Sequence, residues 1–231
     1  MPSASLQDIG LSPQDRVIPL RGFSGCRVVL VDTGQEVYVR KLAKDSDYNK
    51  RLLLQADKQK SFCSNEHFQA VKVRASGNLP SGIAYIDMDY VQGVTAAEML
   101  EILPLTDIQH WAAMLLDMAS SSAQGQTAKT VAPAIFHNKI ADLKRDLTAR
   151  KMMTPPVTHA IGILQDRPWD AIPVSPCHGD LTLENIIVSN GRFYLIDFLD
   201  SFADSWHIDV AKLLQDLIGG WSFRHKPTDR I

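Results

Sequence analysis

Apolar and polar positions alternate in short runs as far as Tyr90, and beyond it the apolar positions recur three and four residues apart. Alternation marks a half-buried strand, and the longer period marks an amphipathic helix. Arg16 to Leu20, Cys26 to Val31 and Glu36 to Lys41 read as three strands of a meander. They are joined through Arg21-Gly22-Phe23-Ser24-Gly25 and Asp32-Thr33-Gly34-Gln35. In the third strand, period two puts Val37, Val39 and Lys41 on one face and Tyr38 and Arg40 on the other. Asp45 to Phe62 has helical composition, with Leu53, Ala56 and Phe62 expected to face inward. Phe68 to Val73 and Ala84 to Met88 read as further strands.

The helical part opens on two capping-box patterns, Thr95-x-x-Glu98 and Thr106-x-x-Gln109. Ile108, Trp111, Ala112, Leu115 and Ala119 form the apolar stripe of the second helix, and residues 124–127 read as a loop. Phe136, Ile140, Leu143 and Leu147 form the next stripe. Pro155-Pro156 is expected to close that region before one more helix over Val157 to Leu164. Val210, Leu214 and Leu217 share a face of a last helix that stops at Gly219-Gly220.

Between the last two helices lies the stretch that carries chemistry, Cys177-His178-Gly179-Asp180-Leu181-Thr182-Leu183-Glu184-Asn185. Twelve residues after the asparagine comes Asp197, in Leu195-Ile196-Asp197-Phe198. Ile186 to Val188 and Phe193 to Ile196 are β-forming runs around Asn190-Gly191, a dipeptide suited to the positive φ angles of a tight hairpin turn. That turn sets Asn185 opposite Ile196, so Asn185 and Asp197 arrive together at the open end. In an ideal ladder they would point to opposite faces, so at least one strand must stop or twist there. A carboxylate beside an acceptor hydroxyl, with an Asp and an Asn as hard oxygen ligands, suits phosphoryl transfer from a magnesium-bound nucleotide.

These motifs resemble the aminoglycoside phosphotransferase and choline kinase superfamily, the small-molecule branch of the protein-kinase-like fold. The resemblance implies Asp180 as catalytic base, Asn185 and Asp197 as Mg²⁺ ligands, and His178 as a brace for the loop. It implies that Gly22 and Gly25 belong to a loop over the phosphates and that Lys41, rather than Arg40, holds the α- and β-phosphates. Met88-Asp89-Tyr90-Val91-Gln92-Gly93 is similar to the family's hinge. There Met88 would be the gatekeeper, and the Asp89 carbonyl and Val91 amide would bond the base. The helix after the third strand lacks the glutamate that pairs with the lysine in kinases, leaving Gln55 and Asp57 as alternatives. Asp209 is expected to support the catalytic loop through its backbone. The implied fold is a two-lobed α+β kinase-like domain: an antiparallel β N-lobe over 1–90 and a mainly helical C-lobe over 91–231.

Composition narrows the rest. The formal net charge is -2, and no basic stripe suggests a nucleic-acid partner. No apolar run reaches membrane-spanning length, and the first residues lack a signal-peptide pattern. Cys26, Cys63 and Cys177, three in all, lack metal-ligand spacing and suit a reducing cytoplasm. The expected activity is transfer of phosphate from ATP, with GTP not excluded, to a hydroxyl of a small molecule: a sugar, amino sugar or amino alcohol. A nucleotidyl transferase on the same fold and a nucleotide-binding scaffold are the alternatives. Asp200, Asp204 and Glu184 are candidates for recognising a cationic acceptor. Trp206 and Trp221 are candidates for an aromatic box or for core packing. Oligomeric state is not readable.

Overall fold

A computed structural model describes residues 9–20, 22, 25–64, 68–124 and 128–225. Its first sheet runs through strands β1 (Arg16–Leu20), β2 (Arg27–Asp32) and β3 (Val37–Leu42), then β6 (Ala84–Asp89) and β5 (Val73–Asn78), all antiparallel. The meander forms where alternation predicts it. One face buries Val29, Val31, Tyr38 and Leu42 with Ile9, Leu11 and Leu79. Helix α1 (Asn49–Ser61) packs on the sheet's other face through Leu52 and Ala56, against Ile86 and Met88. Leu53 is only partly buried, and the inward stripe is carried by Leu52, Gln55, Ala56 and Gln59. Gln59 is kept inside because its Nε2 donates to the Val71 carbonyl at 2.6 Å.

The expected strand from Phe68 to Val73 divides. β4 (Phe68–Ala70) leaves the first sheet and pairs in parallel with β9 (Arg192–Leu195). The second sheet has the order β4-β9-β8-β7, where β8 is Ile186–Ser189 and β7 is Val94–Thr95. Its closest approach is at Gly93, where any Cβ would run into the Val188 carbonyl, so only glycine fits.

Around this small sheet lie α2 (Ala96–Ile102), α3 (Leu105–Gln124), α4 (Pro133–Ala149), α5 (Pro155–Asp166) and α6 (Trp206–Gly219). The Thr95–Glu98 capping box forms in full at α2: the Thr95 hydroxyl accepts from the Glu98 amide, and the Glu98 carboxylate accepts from the Thr95 amide. The second capping pattern is not used. α3 begins at Leu105, which leaves Thr106 inside the helix with its hydroxyl donating to Asp107. Trp111 and Leu115 are buried as the stripe requires, while the side chain of Ala119 and residues 125–127 lie outside what is described. Pro155 opens α5 rather than closing what precedes it, because proline's missing N–H costs nothing in a helix's first turn. In α4, Phe136 and Ile140 are buried but Leu143 faces solvent. The main core joins Phe68, Trp111, Leu183, Ile186, Phe193 and Phe198. It seats the hairpin and the loop before it on the helices. Among the described residues, no helix is long and apolar enough to cross a membrane.

Candidate active site

The hairpin pairs Ile186 with Leu195 and Ser189 with Arg192, and Asn190 and Gly191 take φ of 49° and 73°. Both strands stop where parity demanded it. Asn185 lies in a 3₁₀ turn (Leu183–Asn185) just before β8, and Asp197 adopts φ 59°, which is strained for a non-glycine residue. The Ile196 amide still donates to the Asn185 carbonyl at 3.1 Å, so the two polar side chains leave from one closed end. They open into a cleft of about 600 Å³ whose walls also include Gly22, Lys41, Gln55, Asp180 and Trp221.

Lys41 reaches this cleft from β3. Its Nζ lies 3.0 Å from Asp197 Oδ1 and its side chain is almost wholly buried. Burial opposes the charge, but the Asp197 carboxylate more than offsets it and holds the lysine pKa above its ordinary value. Arg40 points to the other face, as parity requires, yet it is not a surface cation. It makes a two-pronged bond to Asp87, 2.7 Å from Nε and 2.7 Å from Nη2, and donates from Nη1 to the carbonyls of Ile9 and Gly10. Arg40 is thus a buried, paired residue and no rival to Lys41 for the cleft. Asp87 is its buried partner on the neighbouring strand.

Of the two alternatives beside Lys41, Gln55 lines the cleft and Asp57 does not. Asp57 pairs with Lys60 on the surface of α1. Gln55 Nε2 donates to the Tyr48 hydroxyl, and among the described residues its buried Oε1 has no donor. The glycine-rich turn contributes Gly22 to the cleft, whereas Gly25, at φ 76°, is not among the residues lining it. Arg21, Phe23 and Ser24 lie outside the described residues. Met88 and Val91 do not line the cleft directly. They pack in one apolar cluster with Val39 and with Ile196, which does. Asp89 donates its amide to the Lys72 carbonyl, and its carboxylate is paired with Arg74.

The loop from His178 to Asn185 is fixed by backbone bonds to buried carboxylates. Asp209, near the start of α6, accepts from the amides of His178 and Gly179, both at 2.7 Å. Burial pushes its pKa up to about 6 against the pull of those amides. Asp216, two turns further on, accepts from the Leu183 and Ser222 amides. His178 is fully buried between Phe198 and the loop. Its Nδ1 accepts from the Asp180 amide at 3.2 Å, so its proton sits on Nε2, which donates to the Ile196 carbonyl at 2.7 Å. Burial lowers its pKa to about 4, so it is a neutral strut between the loop and the hairpin. Gly179, at φ 92°, lies against the Leu199 carbonyl where no Cβ fits.

Asp180 itself is held from two sides. Lys212 Nζ of α6 lies 2.9 Å from Oδ1, and Asn185 Nδ2 donates to the Asp180 carbonyl at 2.8 Å, with Oδ2 further off at 3.4 Å. Among the described residues no donor reaches Asn185 Oδ1, which leaves that oxygen for a cation. Sequence reasoning missed Lys212. The available signal was its place three residues after Asp209, on the same side of one helix. It also missed Lys58 of α1, which donates to the Leu199 carbonyl and to Asp204 and so ties α1 to the chain after Asp197.

Two of the three carboxylates considered for the acceptor have partners of their own, while Asp200 lines a neighbouring cavity and forms no ion pair among the described residues. Glu184 is paired with Arg224 and Asp204 with Lys58. Of the tryptophans, Trp221 lines the cleft with the Arg224 guanidinium 4.4 Å from its ring centre, while Trp206 lies tilted against His207 and does not line it. Cys177 is buried, which raises its thiol pKa, and all three cysteines are free.

A family model described as "Phosphotransferase enzyme family" matches residues 17–230, so the chain belongs to that family. No curated protein matches it. Among solved structures, the GDP complex of wild-type aminoglycoside 2'-phosphotransferase-IIIa is similar at 18% identity and a TM-score of 0.66, covering 91% of this chain and 75% of that one. The GDP and kanamycin complex of APH(2")-IIia matches at 17% identity and TM-score 0.65, covering 91% and 76%. An apo thermostable mutant of aminoglycoside phosphotransferase APH(4)-Ia matches at 18% and 0.54, covering 97% and 83%. The fold is thus the two-lobed, kinase-like α+β fold, with an antiparallel sheet first and a mainly helical part after it.

Proposed function

We propose that this chain transfers the γ-phosphate of a nucleoside triphosphate to a hydroxyl group of a small molecule. The observation that carries the reading is the convergence of Lys41, Asp180, Asn185 and Asp197 on one cleft, with the Lys41–Asp197 pair joining residues 156 apart in the chain. Asp180 aligns the acceptor hydroxyl and takes its proton as the oxygen bonds the γ-phosphorus, whose bond to the bridging oxygen breaks to release the nucleoside diphosphate. Lys41 holds the donor phosphates, and Gly22 and Gly25 belong to the turn above them. Residues 1–90 cover the nucleotide, with Met88, the Asp89 carbonyl and the Val91 amide at the base, while 91–231 carry the catalytic loop. Catalysis of this kind is mainly positioning and charge neutralisation.

The donor set fits magnesium. Asn185 and Asp197, which both line the cleft, offer hard oxygens, and magnesium needs only one or two such side chains besides phosphates and water. Bound there, it would neutralise charge on the donor phosphates. ATP is the first donor to test. GTP belongs beside it, since two similar structures are GDP complexes.

Incubation with γ-labelled and α-labelled ATP, and with the GTP counterparts, tests the reading. Transfer of γ-label to an acceptor, abolished in Asp180→Asn, supports it. Transfer of α-label would mean a nucleotidyl transferase, and transfer of neither a nucleotide-binding scaffold.

A further inference from the structure

Three carboxylates around the catalytic loop already carry cations from the chain itself. Lys212 holds Asp180 at 2.9 Å, Arg224 holds Glu184 at 3.1 Å and Lys58 holds Asp204 at 2.8 Å. A cationic acceptor using any of these three would have to break a partly desolvated pair to make another.

The cations are distributed differently. A second cavity, of about 770 Å³, shares Leu199 with the nucleotide cleft and reaches Gly179 and Lys212, the residue that holds Asp180. That volume lies within the range of small-molecule sites. Four cations line it, Lys50 and Arg51 of α1, Lys139 of α4 and Lys212 of α6, against two carboxylates, Asp47 and Asp200. Lys50, Arg51 and Lys139 form no ion pair among the described residues. Arg51 lies 5.5 Å from the ring centre of Tyr48, and Lys139 lies 5.8 Å from that of Phe202. An aromatic face steadies a cation without occupying its N–H donors. Cations brought from separate helices into one concavity focus a positive field on whatever enters it. Arginine adds a planar fork that matches phosphate and carboxylate oxygens.

We propose that the acceptor carries an anionic group, a phosphate or a carboxylate, which this second cavity holds while the acceptor hydroxyl reaches Asp180. The proposal rests on the phosphotransferase reading and narrows it, since it sets this chain apart from kinases of polycationic acceptors. It assigns Lys50, Arg51 and Lys139 to acceptor recognition and gives none of them a part in the transfer itself.

The test is binding of the isolated groups to protein saturated with Mg-AMP-PNP, which fills the γ-phosphate position. Inorganic phosphate, acetate and methylammonium are titrated by NMR into the wild type and into Lys50→Glu/Arg51→Glu, a double change on the exposed face of α1. The expected result is that phosphate or acetate binds and methylammonium does not. Whichever of the two binds more tightly names the acceptor's anion. The double variant should weaken that binding about tenfold or more and leave Mg-AMP-PNP affinity unchanged. Tighter binding of methylammonium, binding of neither anion, or anion binding indifferent to the charge reversal would overturn the proposal. Failure of wild-type protein to bind Mg-AMP-PNP would instead overturn the phosphotransferase reading beneath it.

Discussion

Lys41 and Arg40 are neighbours on one strand with opposite duties. Strand parity alone separates their faces, and the structure bears the separation out: one meets Asp197 in the cleft, the other Asp87 beneath the sheet. What each does on its face was less legible, because Asp87 is 47 residues from Arg40 and the pairing depends on how β3 and β6 register. The consequence is a pair of unlike mutants. Lys41→Ala should impair nucleotide use while the protein stays folded. Arg40→Ala should leave a buried carboxylate without its partner and cost about 3–5 kcal/mol of stability, read as a lowered denaturation midpoint. Equal melting behaviour in the two would refute this division. At the same scale, His178 should remain neutral, with Nε2 protonated, and titrate below pH 5 in a pH series of its imidazole NMR signals; a midpoint near 6.5 would contradict the strut assignment. The linked stability follows in sign. A folded pKa of about 4 against 6.5 unfolded means that the unfolded chain takes the proton first, so the His178 contribution is present above pH 6.5 and lost as pH falls toward 4. Asp209 works in the opposite direction. Its raised value, about 6 against 3.8, favours the fold at low pH, and that contribution fades as pH rises through 6.

At the level of elements, the hairpin was the most legible piece, because Asn190-Gly191 specifies its turn and the turn specifies its register. The capping box at α2 was equally readable, since both of its bonds are local. Local patterns failed where tertiary packing chose among starts: α3 begins before Thr106, α5 begins at Pro155, and Phe68–Ala70 deserts the first sheet for the hairpin. The two lysines that organise the site were invisible for a related reason. On a helix, Lys58 and Lys212 look like any solvated charge until the partner loop is in place. Lys58 donates to the Leu199 carbonyl and to Asp204; burial opposes its charge, and Asp204 together with Cys177 raises its pKa above the ordinary value. Lys58→Met should therefore loosen the chain after Asp197, seen as faster hydrogen exchange at the amides of 199–204 than in the wild type. Unchanged exchange there would remove Lys58 from this role. Gly179→Ala meets both an unsuitable φ and the Leu199 carbonyl, so soluble variant protein with full activity would contradict the tight loop geometry.

For the whole molecule, period alone distinguished the sheet-bearing first part from the helical remainder, and the order of motifs pointed to the kinase-like fold. The acceptor was far less legible. Glu184 and Asp204, which looked available to a cation, turn out to be engaged, and the cations that line the second cavity come from three helices far apart in sequence. In the proposed transfer, labour divides across one cleft, with Asp197 serving the donor and Asp180 the acceptor. Calorimetric titration of Mg-ATP into wild type, Asp197→Ala and Asp180→Asn tests it most directly. The account predicts that Asp197→Ala weakens Mg-ATP binding about tenfold or more, while Asp180→Asn binds it within about twofold of the wild type and has lost γ-phosphate transfer. Equal loss of nucleotide affinity in the two variants, or unchanged affinity in Asp197→Ala, would contradict it.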